Sequence, residues 1–460
     1  MTEEEICLVL NTYMYLDYKE AKDNMTLKDI VAELSTHEDC RPGGSHYGEY
    51  QVISKAVRNS EIGSLVIGNQ SHQLGFDSGT AACSFSDPNG TVYVVYRGTG
   101  DGEWPDNGLG MTEVSTTQQE RAAEYFDAVT KREQITKENR LVVTGHSKGG
   151  NKAQYVTMAA AGGGMIDACY NIDGQGFSEM AIAAFRENLG EKEYQTRREK
   201  ITGLYGENDY VNVLGISIVP KENIKYIRTP VEKENFAGYH DIKYMFAEQV
   251  IDSVSGEVTY LFHGEKNAYV GERGELAEYA QTLSDAMMKL PKERRDGCAA
   301  VIMQLLELGG VKKTGLNGEV LSATDVDDFL WLGVPLITGT LFRTRQGTEL
   351  FAKTLLEKSY AKEMQGQLAV QASYGKMEQK AQEIRLFAEE ITGCMQEAEL
   401  LERDFARYMK NNPVLKGRLT GERRNLEKSI KELKILAKKL ETVVHLYRSW
   451  DVEMSESLSS

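Results

Sequence analysis

The feature that most constrains the fold is a short apolar run that leads directly into a Gly-His-Ser-Lys-Gly-Gly segment. Residues 141–144 read as a strand, Ser147 stands between Gly145 and Gly149, and residues 148–161 read as a helix rich in small residues. A strand that enters a helix through a sharp turn matches the G-x-S-x-G elbow, which lifts a serine hydroxyl above the sheet edge. Side chains in place of the flanking glycines would collide with the neighbouring strand or helix. The segment therefore predicts a nucleophilic Ser147.

Strand-like and helical runs alternate on both sides of this segment. An N-terminal helix at residues 3–22 comes first, and the further predicted strands are residues 91–96, 168–172, 201–205 and 224–228. Strands separated by helical stretches of this length indicate βαβ units and a mostly parallel sheet. We therefore expect residues 1–265 to form an α/β-hydrolase domain.

The character of the chain changes to helix beyond this domain. Residues 266–352 are expected to form an intermediate helical region, and residues 353–460 a C-terminal helical hairpin or coiled coil. Proline removes a backbone donor and restricts the residue before it, so Pro413 is expected to separate the two helices of the hairpin. Each helix carries apolar residues that step by four and three and so keep to one face: Met377, Ala381, Ile384, Ala388, Ile391, Met395 and Ala398, then Leu426, Ile430, Leu433, Ala437, Leu440, Val444 and Tyr447.

Composition and charge exclude several classes of function. A net charge of −16 argues against nucleic acid as the main partner, because binding phosphates requires a positive field. The six cysteines are scattered without a C-x-x-C pair, which predicts free thiols and neither a metal site nor a disulfide framework. No cofactor is implied.

The N-terminus and the apolar runs bear on localisation. The N-terminus is acidic, unlike the positive start of a signal peptide, and no run reaches the roughly 18 apolar residues of a membrane span. The expected location is the cytoplasm, and export would need a route that reads no N-terminal signal.

Two further blocks carry a resemblance to known proteins. A Tyr-Arg-Gly-Thr block at residues 96–99, followed by Trp104 and Asp106, resembles a stretch of the class 3 (fungal triacylglycerol-type) lipases. Together with the N-terminal helix, the GHSKGG segment and Asp-Gly-Gln-Gly-Phe at residues 173–177, it resembles the bacterial Mbeg-like, lipase-like family in particular. That last segment usually reads DGPGF, so Gln175 is a departure. The resemblance implies hydrolysis of a carboxylic ester through a Ser-Asp-His triad and an acyl-enzyme, and it covers roughly residues 5–250.

The candidates for the general base follow from chain order. In α/β-hydrolases the order is Ser, then Asp, then His, which leaves His240, His263 and His445. His240 lies where a loop meets a helix, and the class 3 lipases carry their histidine late and before a helix. His263 follows an apolar run and reads as a strand-end residue, whereas His445 adjoins the apolar stripe of the last helix. His240 is therefore the preferred base.

The candidates for the acid follow predicted strands. Asp209 comes after the strand at residues 201–205, resembles the family's D-x-V acid, and lies in a loop that can reach the imidazole. Asp173 also ends a strand and remains the alternative, although an Asp-Gly pair is more typical of a turn. Glu207 is the third candidate.

Acyl transfer also requires donors for the oxyanion that develops. The backbone N–H of Lys148 is one, because it follows the nucleophile at the start of a helix. The class 3 resemblance implies Thr99 as the second, through its N–H and its hydroxyl, although Thr99 also fits the end of a strand. The loop at residues 100–110, with Trp104, is expected to be a small lid or an ordinary long loop.

The expected substrate is a small-molecule or lipid ester, but a second hypothesis centres on the C-terminal helices. They would bind a helical protein partner, as in effectors of type VII secretion, or mediate self-association, with the hydrolase as cargo or a degenerate scaffold. Tyr447 and Asp451 fit the Y-x-x-x-[DE] signal of that system. Such a match is weak in a chain with 23 tyrosines and 69 acidic residues.

Overall fold

The computed structural model describes residues 1–307 and 314–320, with short gaps, and scattered helical residues between 378 and 441. The gaps before residue 307 are 77–79, 101, 137, 230, 232–235, 247–249, 252–257 and 260–268. The chain divides into two compact units, Met1–Thr340 with Thr344–Gly347 and Leu341–Arg343 with Thr348–Ser460. The division into three regions made from the sequence stays a prediction.

The first unit is built on a mostly parallel sheet. The strands among the described residues are β1 (Val66–Gly68), β2 (Ala82–Ser86), β3 (Val92–Tyr96), β4 (Leu141–His146), β5 (Ala168–Ile172), β6 (Ile201–Gly206), β7 (Ile224–Ile227), β8 (Val250–Ile251), β9 (Val258–Thr259) and β10 (Tyr269–Val270). Eight of them form one sheet in the order β1-β2-β3-β4-β5-β6-β7-β10, while β8 and β9 pair separately. Neighbours from β3 to β7 are parallel, whereas β1, β2 and β10 pair antiparallel.

Helices cover both faces of the sheet. Those that the structure describes in the first unit are α1 (Glu3–Met14), α2 (Leu27–Leu34), α3 (Tyr47–Asn59), α4 (Trp104–Thr112), α5 (Thr117–Arg132), α6 (Lys148–Ala159), α7 (Glu179–Arg198), α8 (Glu275–Met288) and α9 (Lys292–Leu306). Three of them begin with a capping box, in which the side chains of the cap and of the third residue each satisfy a free backbone N–H. These boxes are Thr2 with Glu5, Thr26 with Asp29 and Thr116 with Gln119.

Alternating strand residues divide the core into two layers. Val95 and Val142 pack in one apolar cluster with residues of α1, α2 and α3, whereas Val94 and Val143 pack in a second cluster with residues of α5, α6 and α7. Successive side chains of a strand point to opposite faces, so both faces of the central strands are buried. This explains why these strands are continuously apolar in the sequence. The predicted mixed α/β fold with a mostly parallel sheet is confirmed.

Two local predictions differ from the structure. The first helix ends at Met14, and the chain then turns at Asp17, whose φ is +45° and whose carboxylate pairs with Arg97 at 2.8 Å. The loop predicted at residues 100–110 contains α4, which begins at Trp104 with Pro105 in its first turn. Proline is pre-organised for that position, and α4 packs against α9. The helix thus depends on a contact with a distant segment.

The predicted hairpin lies almost wholly outside the described residues, and so do residues 321–352 of the predicted intermediate region, Pro413 and His445. Within the second unit, Ala381, Ala388 and Ile430 of the expected apolar stripes are helical and buried. Arg385 pairs with Glu441. The hairpin therefore stays a prediction.

The cysteines and the helix lengths bear on two further predictions. Cys7, Cys40, Cys83, Cys169 and Cys298 are free and buried, and Cys394 lies outside the described residues. Among the helices that the structure describes, none is long and apolar enough to cross a membrane.

Candidate active site

Ser147 occupies a strained turn between β4 and α6. Its φ and ψ are +59° and −128°, a combination that residues other than glycine rarely adopt. A Cβ on Gly145 would lie 2.1 Å from the carbonyl carbon of Gly149, and one on Gly149 would lie 2.1 Å from the carbonyl oxygen of Tyr96. These close approaches explain the glycines on both sides of Ser147. The strand, turn and helix that the sequence predicts are all present.

The structure brings Ser147, His240 and Asp209 together in one hydrogen-bonded series. Ser147 Oγ lies 2.8 Å from His240 Nε2, and His240 Nδ1 lies 2.5 Å from Asp209 Oδ2. Ser147 follows β4, Asp209 follows β6, and His240 ends a short 3₁₀ segment, Phe236–His240. A carboxylate can accept hydrogen bonds but cannot donate them. The bond between Asp209 and His240 therefore places the ring proton on Nδ1, and Nε2 is free to accept from Ser147.

Asp209 is held in place by several donors. Its side chain is fully buried, and Oδ1 accepts the backbone N–H groups of Val211 at 2.9 Å and Asn212 at 2.7 Å. Oδ1 also accepts Asn212 Nδ2 at 2.8 Å. Together with the bond to His240, this is the environment of a carboxylate anion whose orientation is fixed.

Asp173, the alternative acid, lies beside Asp209 and is also fully buried. Its Oδ1 accepts Gly206 N–H at 2.8 Å and Asn212 Nδ2 at 3.1 Å, while Oδ2 has no partner among the described residues. Burial, and next the charge of Asp209, raise the pKa of Asp173 well above its usual range. No hydrogen bond joins Asp173 to His240 among the described contacts.

The ring of His146 stacks on the ring of His240. The ring centroids are 4.9 Å apart with 28° between the planes, and His146 Nδ1 lies 2.6 Å from the hydroxyl of Tyr15. Burial, and next the charge of His240, lower the pKa of His146 well below its usual range. His146 is therefore a neutral ring, and it adds no positive charge beside the base.

One group of side chains has the residue types that bind metal ions: His146, Asp173 and His240. One ligand atom from each lies within 4.8 Å of the others. The lone pairs of an imidazole lie in the ring plane, and two planes inclined by only 28° do not meet near the rings. The rings therefore do not converge on one ion at a Zn–N length of about 2.0–2.1 Å. The arrangement does not suit a metal.

Thr99 and the N-terminus of α6 lie close to Ser147. A Cβ on Gly98, the residue before Thr99, would lie 3.2 Å from Ser147 Cβ. The hydroxyl of Thr99 accepts a hydrogen bond from Asn107 Nδ2 at 2.8 Å. Lys148 is the first residue of α6, where backbone N–H groups have no partner within the helix.

The side chain of Lys148 has a different role from its N–H. It is fully buried, and Nζ lies 2.7 Å from Asp106 Oδ1. Burial tends to raise the pKa of Asp106, but the charge and hydrogen bond of Lys148 outweigh it, so this pKa is lowered. One turn further along α6, Lys152 is also buried, and its burial lowers its pKa to about 8.

The other residues singled out in the sequence make different contacts or lie outside the described residues. Glu207 accepts the backbone N–H of Thr229 at 3.3 Å, and Arg97 pairs with Asp17. Trp104 is half-buried at the start of α4, and His263 lies outside the described residues.

The sequence analysis did not identify Asn107, Asn212, Tyr15 or the role of Gln175. Gln175 Nε2 donates to the carbonyl of Asn107 at 2.6 Å, so it connects the loop after β5 to α4. The sequence contains one signal for Asn212, which is its position three residues after Asp209. A side chain at that spacing can reach back to the carboxylate. Tyr15 contacts His146 across 131 residues of sequence, whereas Asn107 lies eight residues after Thr99, on a helix that the sequence did not predict.

The fold and site together define an α/β protein with a Ser-His-Asp hydrogen-bonded series at the carboxyl end of a parallel sheet. Residues 55–221 match the family model described as Mbeg1-like. The matched segment includes Ser147, Asp173 and Asp209 and ends before His240. It supports the resemblance to the Mbeg-like family. No curated protein and no solved structure matches the chain.

Proposed function

We propose that this protein is a serine hydrolase of the α/β-hydrolase class that cleaves carboxylic esters, with Ser147 as nucleophile, His240 as general base and Asp209 as acid. The observation that carries the proposal is the unbroken series from Ser147 Oγ through His240 to Asp209, at 2.8 and 2.5 Å. A nucleophile, a base within hydrogen-bond reach and a third group that orients the base are the parts that acyl transfer requires.

In the first half of the reaction, Ser147 Oγ attacks the ester carbonyl while His240 Nε2 takes its proton. The imidazolium that forms faces the Asp209 carboxylate, which stabilises the positive charge. When the tetrahedral intermediate collapses, the ester C–O bond breaks and His240 gives the proton to the departing alcohol. In the second half a water gives its proton to His240 and attacks the acyl-enzyme, and the acid is released as Ser147 regains its proton.

The oxyanion of each tetrahedral intermediate needs donors that are already in place. We assign this role to the backbone N–H of Lys148 and to Thr99. Because the Thr99 hydroxyl accepts from Asn107, its own hydrogen is available to donate to the oxyanion. The positive end of the α6 dipole adds to the stabilisation.

The substrate class follows from the resemblance to lipases, and it is a small-molecule or lipid ester. The test is labelling of purified protein with a serine-reactive fluorophosphonate probe, followed by hydrolysis of simple esters of increasing acyl length. Wild type and Ser35→Ala, which changes an exposed serine, should both be labelled. Ser147→Ala should be neither labelled nor active. Labelling of Ser147→Ala at the wild-type rate would exclude Ser147 as the nucleophile.

A further inference from the structure

Asp173 is a buried acid beside the proposed catalytic residues that the mechanism above does not use. It follows β5 at the same sheet edge where Asp209 follows β6, and its φ is +46°. An acid that is fully buried in a strained backbone conformation carries a cost in stability, so its surroundings need an explanation.

Asn212 joins the two acids. Its side-chain amide has two hydrogens, and Nδ2 lies 3.1 Å from Asp173 Oδ1 and 2.8 Å from Asp209 Oδ1. Both donors of Asn212 are therefore used, one on each acid. The Asp209 oxygen that remains, Oδ2, binds His240. Any change in the position of Asn212 is thus transmitted to the acid that orients the base.

The two acids differ in how their oxygens are satisfied. Asp209 has donors on both oxygens, whereas Asp173 Oδ2 is buried without a partner among the described residues. A buried carboxylate oxygen without a donor is costly when it carries charge. Two adjacent buried carboxylates also repel each other, so one of them favours its protonated form. Both arguments select Asp173 as the protonated member, and the raised pKa of Asp173 agrees with them.

We propose that Asp173 is held as the neutral acid and acts, through Asn212, as a positioning residue for the Asp209–His240 pair. The positioning role rests on the proposed function, whereas the protonation state does not. A neutral Asp173 leaves one negative charge beside His240 instead of two. It also keeps an acceptor for Asn212 and Gly206, so the amide that orients Asp209 is fixed at both ends.

The protonation state can be measured without any enzyme assay. Protein labelled with carbon-13 at the aspartate carboxyl groups is compared with its Asp173→Asn variant by infrared difference spectroscopy at neutral pH. We expect the carbonyl stretch of a protonated carboxylic acid in wild type and its loss in Asp173→Asn. A difference spectrum with only carboxylate bands would overturn the proposal, whether or not the protein hydrolyses esters.

The positioning role is tested by kinetics. Asp173→Ala removes the acceptor for Asn212, and we expect kcat to fall by up to about 100-fold with little change in KM, because the base is misplaced. Asp173→Asn keeps the acceptor and should restore most of that loss. Asn212→Ala should lower kcat in the same way and serves if Asp173→Ala does not fold. The control is Asp167→Asn, because Asp167 immediately precedes β5 at the end of the strand away from the site. Its kcat should equal that of wild type.

A pH profile tests whether Asp173 carries a charge in the working enzyme. The titratable groups around Asp173 are Asp209, His146, His240, Tyr15, Tyr205 and Tyr210. If Asp173 is neutral, wild type and Asp173→Asn share the same acidic limb of kcat/KM. Loss of a real negative charge would instead move that limb of Asp173→Asn to lower pH by about one unit or more. Such a shift would overturn the proposal. It would also be overturned if the Asp173→Asn variant were as slow as Asp173→Ala, or if Asp173→Ala were as fast as wild type.

Discussion

Asn107 donates a hydrogen bond from its side-chain amide to the hydroxyl of Thr99, at 2.8 Å, and so fixes the direction in which that hydroxyl can donate. The bond joins α4 to the loop after β3. It makes the proposed oxyanion donor depend on a helix that the sequence did not predict.

The first prediction concerns this donor. Thr99→Ala should lower kcat by about 10²–10³, the loss usually seen when one oxyanion donor is removed. Thr99→Ser keeps the hydroxyl and should remain close to wild type. Steady-state hydrolysis of a short-chain ester provides the measurement. A Thr99→Ala enzyme with wild-type kcat would show that the hydroxyl of Thr99 does not stabilise the transition state.

The second prediction concerns the base and the acid. His240→Ala should lower kcat by about 10⁶, and Asp209→Asn by about 10⁴, since the amide changes the tautomer of the base without removing it. Glu207→Gln is the control, because its Oε1 can still accept the N–H of Thr229. If Glu207→Gln is as slow as Asp209→Asn, the assignment of the acid is wrong.

The third prediction concerns the buried ion pair of Lys148 and Asp106. Asp106→Ala leaves a fully buried ammonium group unpaired, so the free energy of unfolding should fall by about 3–5 kcal/mol. Replacing both partners with apolar residues, Lys148→Met and Asp106→Leu, should recover part of this loss, because the hydroxyl of Thr116 and the N–H of Gln118 still lose their acceptor. Urea unfolding followed by circular dichroism gives the values.

Asp17→Ala provides the comparison for that experiment, because its pair with Arg97 is half-exposed and should contribute no more than about 1 kcal/mol. If both variants lose the same free energy of unfolding, the buried pair does not stabilise the protein more than the half-exposed pair does.

The fourth prediction concerns Lys152 and pH. Burial lowers its pKa from 10.5 to about 8, so the unfolded chain binds the proton more tightly than the folded protein does. The wild-type protein therefore gains stability from this group as pH rises from 8 to 10.5. Lys152→Met should be more stable than wild type below pH 8, by up to about 3 kcal/mol, and the difference should shrink above it.

Urea midpoints at several pH values test this prediction, with Lys131→Met as the control because Lys131 is exposed. A difference between Lys152→Met and wild type that does not change with pH would mean that Lys152 is not buried as a titrating amine.

The sequence by itself determined the elements whose causes are local. An apolar run predicted β4, the glycines predicted the sharp turn at Ser147, and small residues predicted α6, because strand propensity, glycine geometry and helix packing act over a few neighbouring residues. The alternation of strands and helices likewise predicted the mostly parallel sheet. His240 could be chosen over His445 from its local surroundings.

Only the tertiary structure decided which acid contacts the histidine. Asp173 and Asp209 each follow a strand of the same parallel sheet, so their local patterns are alike. Their difference comes from long-range contacts: the segment that carries His240 reaches Asp209, 31 residues earlier, while Asn212 connects the two acids. The helix α4 likewise forms against α9, far along the chain. Such contacts depend on how the chain closes in space, and no window of neighbouring residues encodes them.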